Sequence, residues 1–202
     1  SGKRHYKFKF NRGHYFAAKD EKGQAYEHKW RVFNVSRMFG TKGGNSWGLP
    51  EEIGDKLYHT MGVPTQRAHW FHFRVIDDSA EAPDQYHGDF WGIQQAQERY
   101  DVRFLESRDL PKGNLYKLSD FFFDADSQRR YQSQDMVSDG SEFDNIRFNL
   151  HGGQNATWLN EHVNYKKWYG YSAVGEAIRH YDIFPEPTGR HRLKNLVWYF
   201  EP

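Results

Sequence analysis

Aromatic and basic residues alternate strictly at the start of the chain, in "HYKFKF" (5–10). The aromatic residues share one face and the basic residues the other: Tyr6, Phe8 and Phe10 against His5, Lys7 and Lys9. A period of two is typical of a strand with one face buried. The pattern therefore predicts a first strand whose basic side chains face away from a core.

Three further strands are predicted in the first half of the chain. "WRVFNVSRMF" (30–39) predicts one with Trp30, Val32 and Asn34 on one side. "RAHWFHFRVI" (67–76) and "DFWGIQQAQ" (89–97) predict two more. The segment between these two is polar and contains Pro and Gly, so they should pair as a hairpin with an exposed loop.

One helix interrupts these strands. In "PEEIGDKLYHTMG" (50–62), proline and two acids stand at the start, and glycine follows at the end. Ile53, Leu57 and Met61 form one apolar stripe at helical spacing. A short helix is also predicted from about Tyr100 to Glu106, followed by a strand at 113–118.

The pattern loosens after residue 118. Residues 119–155 are polar and aperiodic, which favours a long loop or a weakly helical insertion. Helices return from Trp158. Tyr171, Val174, Ile178 and Tyr181 recur at helical spacing, and "NLVWYF" (195–200) predicts a last strand.

The order of elements predicts an α+β fold with two lobes. We expect a β-rich lobe with one helix over 1–118, a polar loop or insertion over 119–157, and part of a helical lobe over 158–202. A cleft between the lobes is the expected place for a ligand.

Composition narrows the function classes. The 202 residues carry a formal net charge of +1, which argues against a general nucleic-acid binder. The absence of cysteine excludes a disulfide framework and a thiolate metal site. No apolar run approaches the ~20 residues of a membrane span. The opening "SGKRHYKFKF" already reads as a strand in progress, so we expect a trimmed N-terminus.

Two conspicuous features have ordinary explanations. The glycine-rich "GTKGGNSWG" (40–48) precedes a helix and would offer backbone amides to an anion, but it matches neither a P-loop nor G-x-G-x-x-G and also fits a plain surface loop. The eleven histidines contain no H-E-x-x-H or H-x-H pair. A dedicated histidine metal site is therefore not predicted.

Glu98 is a better candidate because it ends a strand whose neighbours should be buried. Lys7 and Lys9 are its candidate partners, since a Lys–Glu pair can hold nucleotide phosphates in a phosphotransferase. Asp182 follows a helix end, where the helix dipole disfavours an acid, and Asn195 begins the last strand. An aspartate that accepts a hydroxyl proton and an asparagine that ligates Mg²⁺ would suit phosphoryl transfer. The simpler alternative is a capped turn.

Several stretches together resemble the CotH kinase-like family, which is named for a spore coat protein. The most specific is "GDFWGIQQAQERYDVRFLESRDLPKGNLYK" (88–117), similar to the family's Trp-Gly…Glu…Asp…Phe-Leu…Gly-Asn-Leu-Tyr-Lys pattern. "KRHYKFKFNRG", "EEIGDKLYHTMGVPTQRAHWFHFRV" and "AVGEAIRHYDI" resemble other family segments. The resemblance covers most of the chain.

The resemblance implies an atypical protein-kinase-like fold that transfers the γ-phosphoryl group of ATP, with Mg²⁺ or Mn²⁺, to Ser or Thr of a protein. It implies a secreted, surface or coat-associated setting. The residues it assigns are one basic nucleotide-contacting residue among Lys3, Arg4, Lys7 and Lys9, the family glutamate Glu98, the catalytic aspartate Asp182 and the metal ligand Asn195. Arg4 is favoured by motif position, and Lys7 or Lys9 by alternation.

The chain departs from the family pattern at two points. Gln94 stands where the family usually has an aromatic residue. The family also continues into Trp-Asp-x-Asp, whose aspartate holds the metal, whereas this chain ends at "YFEP". We expect the parent sequence to continue past Pro202; a chain that stopped here would be a weak or inactive kinase. Two alternatives remain, a non-catalytic surface or coat module and a carbohydrate-binding or carbohydrate-active domain.

Overall fold

We describe the protein from a computed structural model of the whole chain. The structure describes residues 5–36, 49–81, 83–84, 86–117, 129–137, 139–151, 156–180 and 196–202. Within these ranges it is a mixed α+β protein with antiparallel sheets and a few helices, as the sequence predicted.

The first sheet has four strands: β1 (Tyr6–Lys9), β2 (Val32–Ser36), β3 (Ala68–Val75) and β4 (Asp89–Glu98). Their order is β1-β2-β4-β3, and every neighbouring pair is antiparallel. All four predicted strands are confirmed, and so is the hairpin of β3 and β4. Between His72 and Arg74 the register of the hairpin shifts.

The core of this sheet is aromatic. Phe33, Val35, Trp30 and Ala96 are buried, and the aromatic side chains of β1 pack against them while Lys7 and its neighbour Lys9 stay exposed. On β2 the prediction was only partly right. Val32 is buried, but the cluster takes Phe33 and Val35 from the other face and leaves Asn34 half-buried. Because β2 lies inside the sheet, both of its faces are covered and simple alternation fails.

The helix predicted after the glycine-rich segment is confirmed as α1 (Leu49–Thr60). Its apolar stripe points to solvent: Leu49, Ile53, Leu57 and Met61 are 40–54% exposed, and Gly54 is the buried residue of the helix. A stripe at helical spacing usually packs against a core. Here it indicates the helix correctly but not the side that is buried.

The second sheet has three strands: β5 (Asn114–Lys117), β6 (Arg129–Tyr131) and β7 (Val197–Phe200). Their order is β6-β5-β7, again antiparallel. Four helices belong to this half of the chain: α2 (Val102–Glu106), α3 (Ser141–His151), α4 (Ala156–His162) and α5 (Tyr165–Ala177).

The expectation of a loop or weak helix over 119–155 is wrong for the part that the structure describes. That part contains strand β6 and the eleven-residue helix α3. Phe143 of α3 is 1% exposed and packs on Tyr116 of β5. The helix was missed because it buries few apolar side chains among many polar ones, so its period is faint.

The chain divides into two compact units. The first comprises Ser1–Ile53 and Gln66–Arg99, and the second comprises Gly54–Thr65 and Tyr100–Pro202. The second unit has its own buried cluster of Phe104, Leu105 and Leu115. The lobe boundaries that we drew at 118 and 157 from composition do not coincide with this division and stay a prediction.

Candidate functional site

Glu98 ends the central strand β4 and is only 4% exposed. Its carboxylate Oε2 accepts the backbone N–H of Arg67 at 3.2 Å, and its own N–H donates to the Arg67 carbonyl at 2.9 Å. The amide of Gln66 donates to the Glu98 carbonyl. These bonds extend the β3–β4 ladder by one residue pair. They fix a buried carboxylate where the strand ends, and carboxylates are almost never buried without partners.

Arg67 also ties this strand end to a buried tyrosine. Its guanidinium carbon lies 5.2 Å from the ring centroid of Tyr26, and the Tyr26 hydroxyl donates to the Ala68 carbonyl at 2.8 Å. Burial raises the pKa of Tyr26 to about 12, although Arg67 acts in the opposite direction. The hydroxyl therefore stays protonated near neutral pH and remains a donor.

The register of the strands separates Glu98 from its predicted lysine partners. Glu98 lies opposite Phe33, which lies opposite Phe8, so the three share the face with the aromatic core. Lys7 and Lys9 alternate with Phe8 and therefore occupy the other face, where both are exposed. The predicted pairing of Glu98 with Lys7 or Lys9 is wrong. The cause is register, because one position along a strand exchanges the two faces.

Lys7 instead heads a polar row on the opposite face of the sheet. It is paired with Asn34 of β2, which is paired with Gln97 of β4. Gln97 donates from Nε2 to Oε1 of the buried Gln95 at 3.4 Å. The sequence analysis did not single out Asn34 or Gln97. Each looked like an ordinary strand residue, and only the pairing of three separate strands brings them beside Lys7.

Trp70 of β3 borders this row. It is paired with Gln95, and its indole Nε1 donates to Glu52 Oε2 at 2.5 Å. Glu52 lies in the first turn of α1, so the start of that helix lies over the Trp70 end of the face. The lysine end of the row, in contrast, is open to solvent.

A second polar network lies in the other unit and is centred on the fully buried Asn114. Its Oδ1 accepts Gln132 Nε2 and the Ser133 backbone N–H, both at 2.8 Å, and its Nδ2 donates to Glu142. The Tyr116 hydroxyl also donates to Glu142, at 3.4 Å. The network joins β5, the segment after β6 and α3. We assign it to the packing of this unit, since buried polar groups need such partners.

The remaining predicted site residues lie outside the described residues. These are Lys3, Arg4, Asp182 and Asn195. The helix before Asp182 is described: α5 ends at Ala177, and the His180 N–H donates to the Gly175 carbonyl at 2.8 Å. The helix therefore ends four residues earlier than the predicted stripe, which ran to Tyr181. The roles predicted for Asp182 and Asn195 stay predictions.

In the ranges that the structure describes, no three His, Cys, Asp or Glu side chains are grouped so that they could hold a metal ion. Nor is any helix there long and apolar enough to span a bilayer. Neither the protein-family models nor the curated protein sequences give a match to this chain.

Proposed function

We propose that the protein is a CotH-like phosphotransferase with a bilobal, kinase-like arrangement, which moves the γ-phosphoryl group of ATP to a Ser or Thr hydroxyl of a protein. Two observations support this. The segment with the most specific resemblance, 88–117, forms the consecutive elements β4, α2 and β5. Its glutamate, Glu98, is buried at the end of β4.

The burial of Glu98 carries the proposal. A strand-end glutamate with no function would be expected at the surface, because desolvating a carboxylate costs several kcal/mol when it is poorly paired. Of the basic residues proposed to contact the nucleotide, Lys7 and Lys9 lie on the face opposite Glu98. Arg4 is therefore the remaining candidate for an ion pair with Glu98.

The chemistry assigned to the chain is short. Asp182 accepts the proton of the acceptor hydroxyl as its oxygen bonds to the γ-phosphorus and ADP leaves. Asn195 would be one ligand of Mg²⁺ or Mn²⁺, which when bound neutralises phosphate charge. The described residues supply no further ligand set for this ion. The fit of the metal therefore depends on residues outside them, and no step is assigned to it.

The test is calorimetric titration of the protein with ATP in the presence of Mg²⁺, beside an assay of phosphoryl transfer to a Ser/Thr protein substrate. Glu98→Ala should weaken ATP binding about tenfold or more. Glu106→Ala is the matched control, since Glu106 lies on α2 and makes only a surface ion pair with Lys112 at 3.3 Å. Thermal unfolding of both variants checks that they are folded.

Asp182→Ala separates binding from chemistry. It should leave ATP affinity near that of the wild type and reduce transfer about a thousandfold or more, as for loss of a base that orients the acceptor. Wild-type protein that binds no ATP would overturn the proposal. Transfer that survives Asp182→Ala would overturn the role of that residue.

The non-catalytic surface module is the second candidate. It is favoured by exposed aromatic residues near the β3–β4 loop, where Tyr86, Phe90 and Trp91 are 47–67% exposed. Such a module would show neither ATP binding nor transfer in the same assays.

A further inference from the structure

The face of the first sheet opposite Glu98 carries a row of polar side chains that crosses three strands. Lys7, Asn34 and Gln97 are directly opposite one another in the register of β1, β2 and β4. Residues so paired project from the same face. Neighbouring strands are ~4.8 Å apart, so the row runs about 10 Å from Lys7 to Gln97.

Exposure decreases inward along this face. Lys7 is exposed, Asn34 and Gln97 are half-buried, and Gln95 is fully buried beneath its bond from Gln97. A purely solvated surface would not show such a gradient of polar side chains. It is the arrangement expected at the shoulder of a binding site, where charged groups meet the ligand first and amides fix its orientation.

The charges define the ligand. Lys9 is two positions beyond Lys7 on β1 and on the same face, ~7 Å away along the strand. Both lysines are exposed. Two ammonium groups along one strand suit an extended anion with more than one negative charge. The carboxamides of Asn34 and Gln97 add N–H donors and no charge, so they do not oppose an anion.

We propose that Lys7, Lys9, Asn34 and Gln97 bind the polyphosphate of a nucleotide on this face. The lysines neutralise the phosphates, and the two carboxamides donate hydrogen bonds to phosphate oxygens. The nucleotide rests on the proposed function, while the affinity for polyphosphate does not. Glu98 then lies on the opposite face and acts through the strand end that it fixes, next to Gln97, rather than by touching phosphate.

The experiment titrates the whole chain with ATP and, separately, with inorganic tripolyphosphate at constant ionic strength. Lys7→Gln and Gln97→Leu should each weaken both ligands about fivefold or more. Their controls are Lys22→Gln and Gln24→Leu, at exposed positions in a loop of the same unit, which should bind as the wild type does. Thermal unfolding midpoints within the range of the controls exclude misfolding as the cause.

The outcomes separate this inference from the proposed function. If ATP binds and is used for transfer but Lys7→Gln and Gln97→Leu bind it as the controls do, the face is not the site and the phosphotransferase stands. If tripolyphosphate binds and is weakened by both variants while transfer is absent, the site stands and the phosphotransferase falls. Wild-type protein that binds neither ligand overturns both.

Discussion

At the scale of single residues, the most informative neighbours are Gln97 and Glu98. They are adjacent on β4 yet project from opposite faces, one beside Asn34 and the other toward the aromatic core. The bonds that Arg67 and Gln66 make to Glu98 hold both in place, because they fix the strand end that the two share. A change at Glu98 can therefore alter the opposite face without any contact with a ligand there.

Tyr26 provides a residue-scale prediction about pH. Burial raises its pKa from 10.0 to about 12; Arg67 lowers it, and Asp20, Glu21 and Glu52 raise it. Above pH 10 the unfolded chain releases this proton while the folded chain keeps it. The contribution to stability is therefore complete below pH 10 and is lost as the pH rises toward 12.

We expect Tyr26→Phe to cost about 1 kcal/mol at neutral pH, since its hydrogen bond to Ala68 is lost. The variant should also show a shallower fall of the unfolding free energy between pH 10 and 12. Tyr199 is an independent case in the other unit, because burial raises its pKa to about 12 and its hydroxyl donates to Pro111. Urea unfolding at stepped pH measures both; an alkaline slope equal to that of the wild type in either variant contradicts the assignment.

At the scale of elements, two helical glycines make opposite predictions. A Cβ on Gly54 of α1 would meet only Ile178 Cδ1, at an ordinary 3.8 Å. A Cβ on Gly170 of α5 would lie 2.9 Å from the Met61 carbonyl oxygen and 3.4 Å from Val63. At Gly54 the helix propensity of alanine decides the outcome, whereas at Gly170 the backbone contact decides it.

Gly54→Ala should therefore stabilise the protein by about 0.5–1 kcal/mol, the usual gain within a helix. Gly170→Ala should destabilise it by about 1–3 kcal/mol, the usual cost of overpacking. Chemical denaturation of the two variants beside the wild type gives both signs. Stabilisation by both substitutions would show that α5 does not pack closely on the end of α1.

Secondary structure was largely predictable because it depends on local periodicity. The alternation around Phe8 and the capped pattern before Gly62 each gave the right element. What sequence alone could not give is the pairing of distant strands. Lys7 and Glu98 were matched by charge, but their faces depend on the registers of β1, β2 and β4 together. A shift by one residue in either pairing would have reversed the result.

At the scale of the whole molecule, two separate cores stabilise the chain. Phe33 belongs to the aromatic cluster of the first unit, and Phe104 to the cluster with Leu105 and Leu115 in the second. The residues of each cluster come from one unit only. The predicted α+β class is confirmed at this level, and each unit has buried apolar material of its own.

This arrangement predicts local effects of core substitutions. Phe33→Leu and Phe104→Leu are matched changes at side chains that are 4% and 2% exposed, and each should cost about 1–2 kcal/mol. Because each removes contacts within one cluster, Phe33→Leu should speed amide hydrogen exchange mainly in β1, β2 and β4. Phe104→Leu should do so mainly in β5 and β7. Equal acceleration in all five strands for both variants would mean that the two cores unfold as one cooperative unit, so the comparison of the exchange patterns decides between local and global coupling.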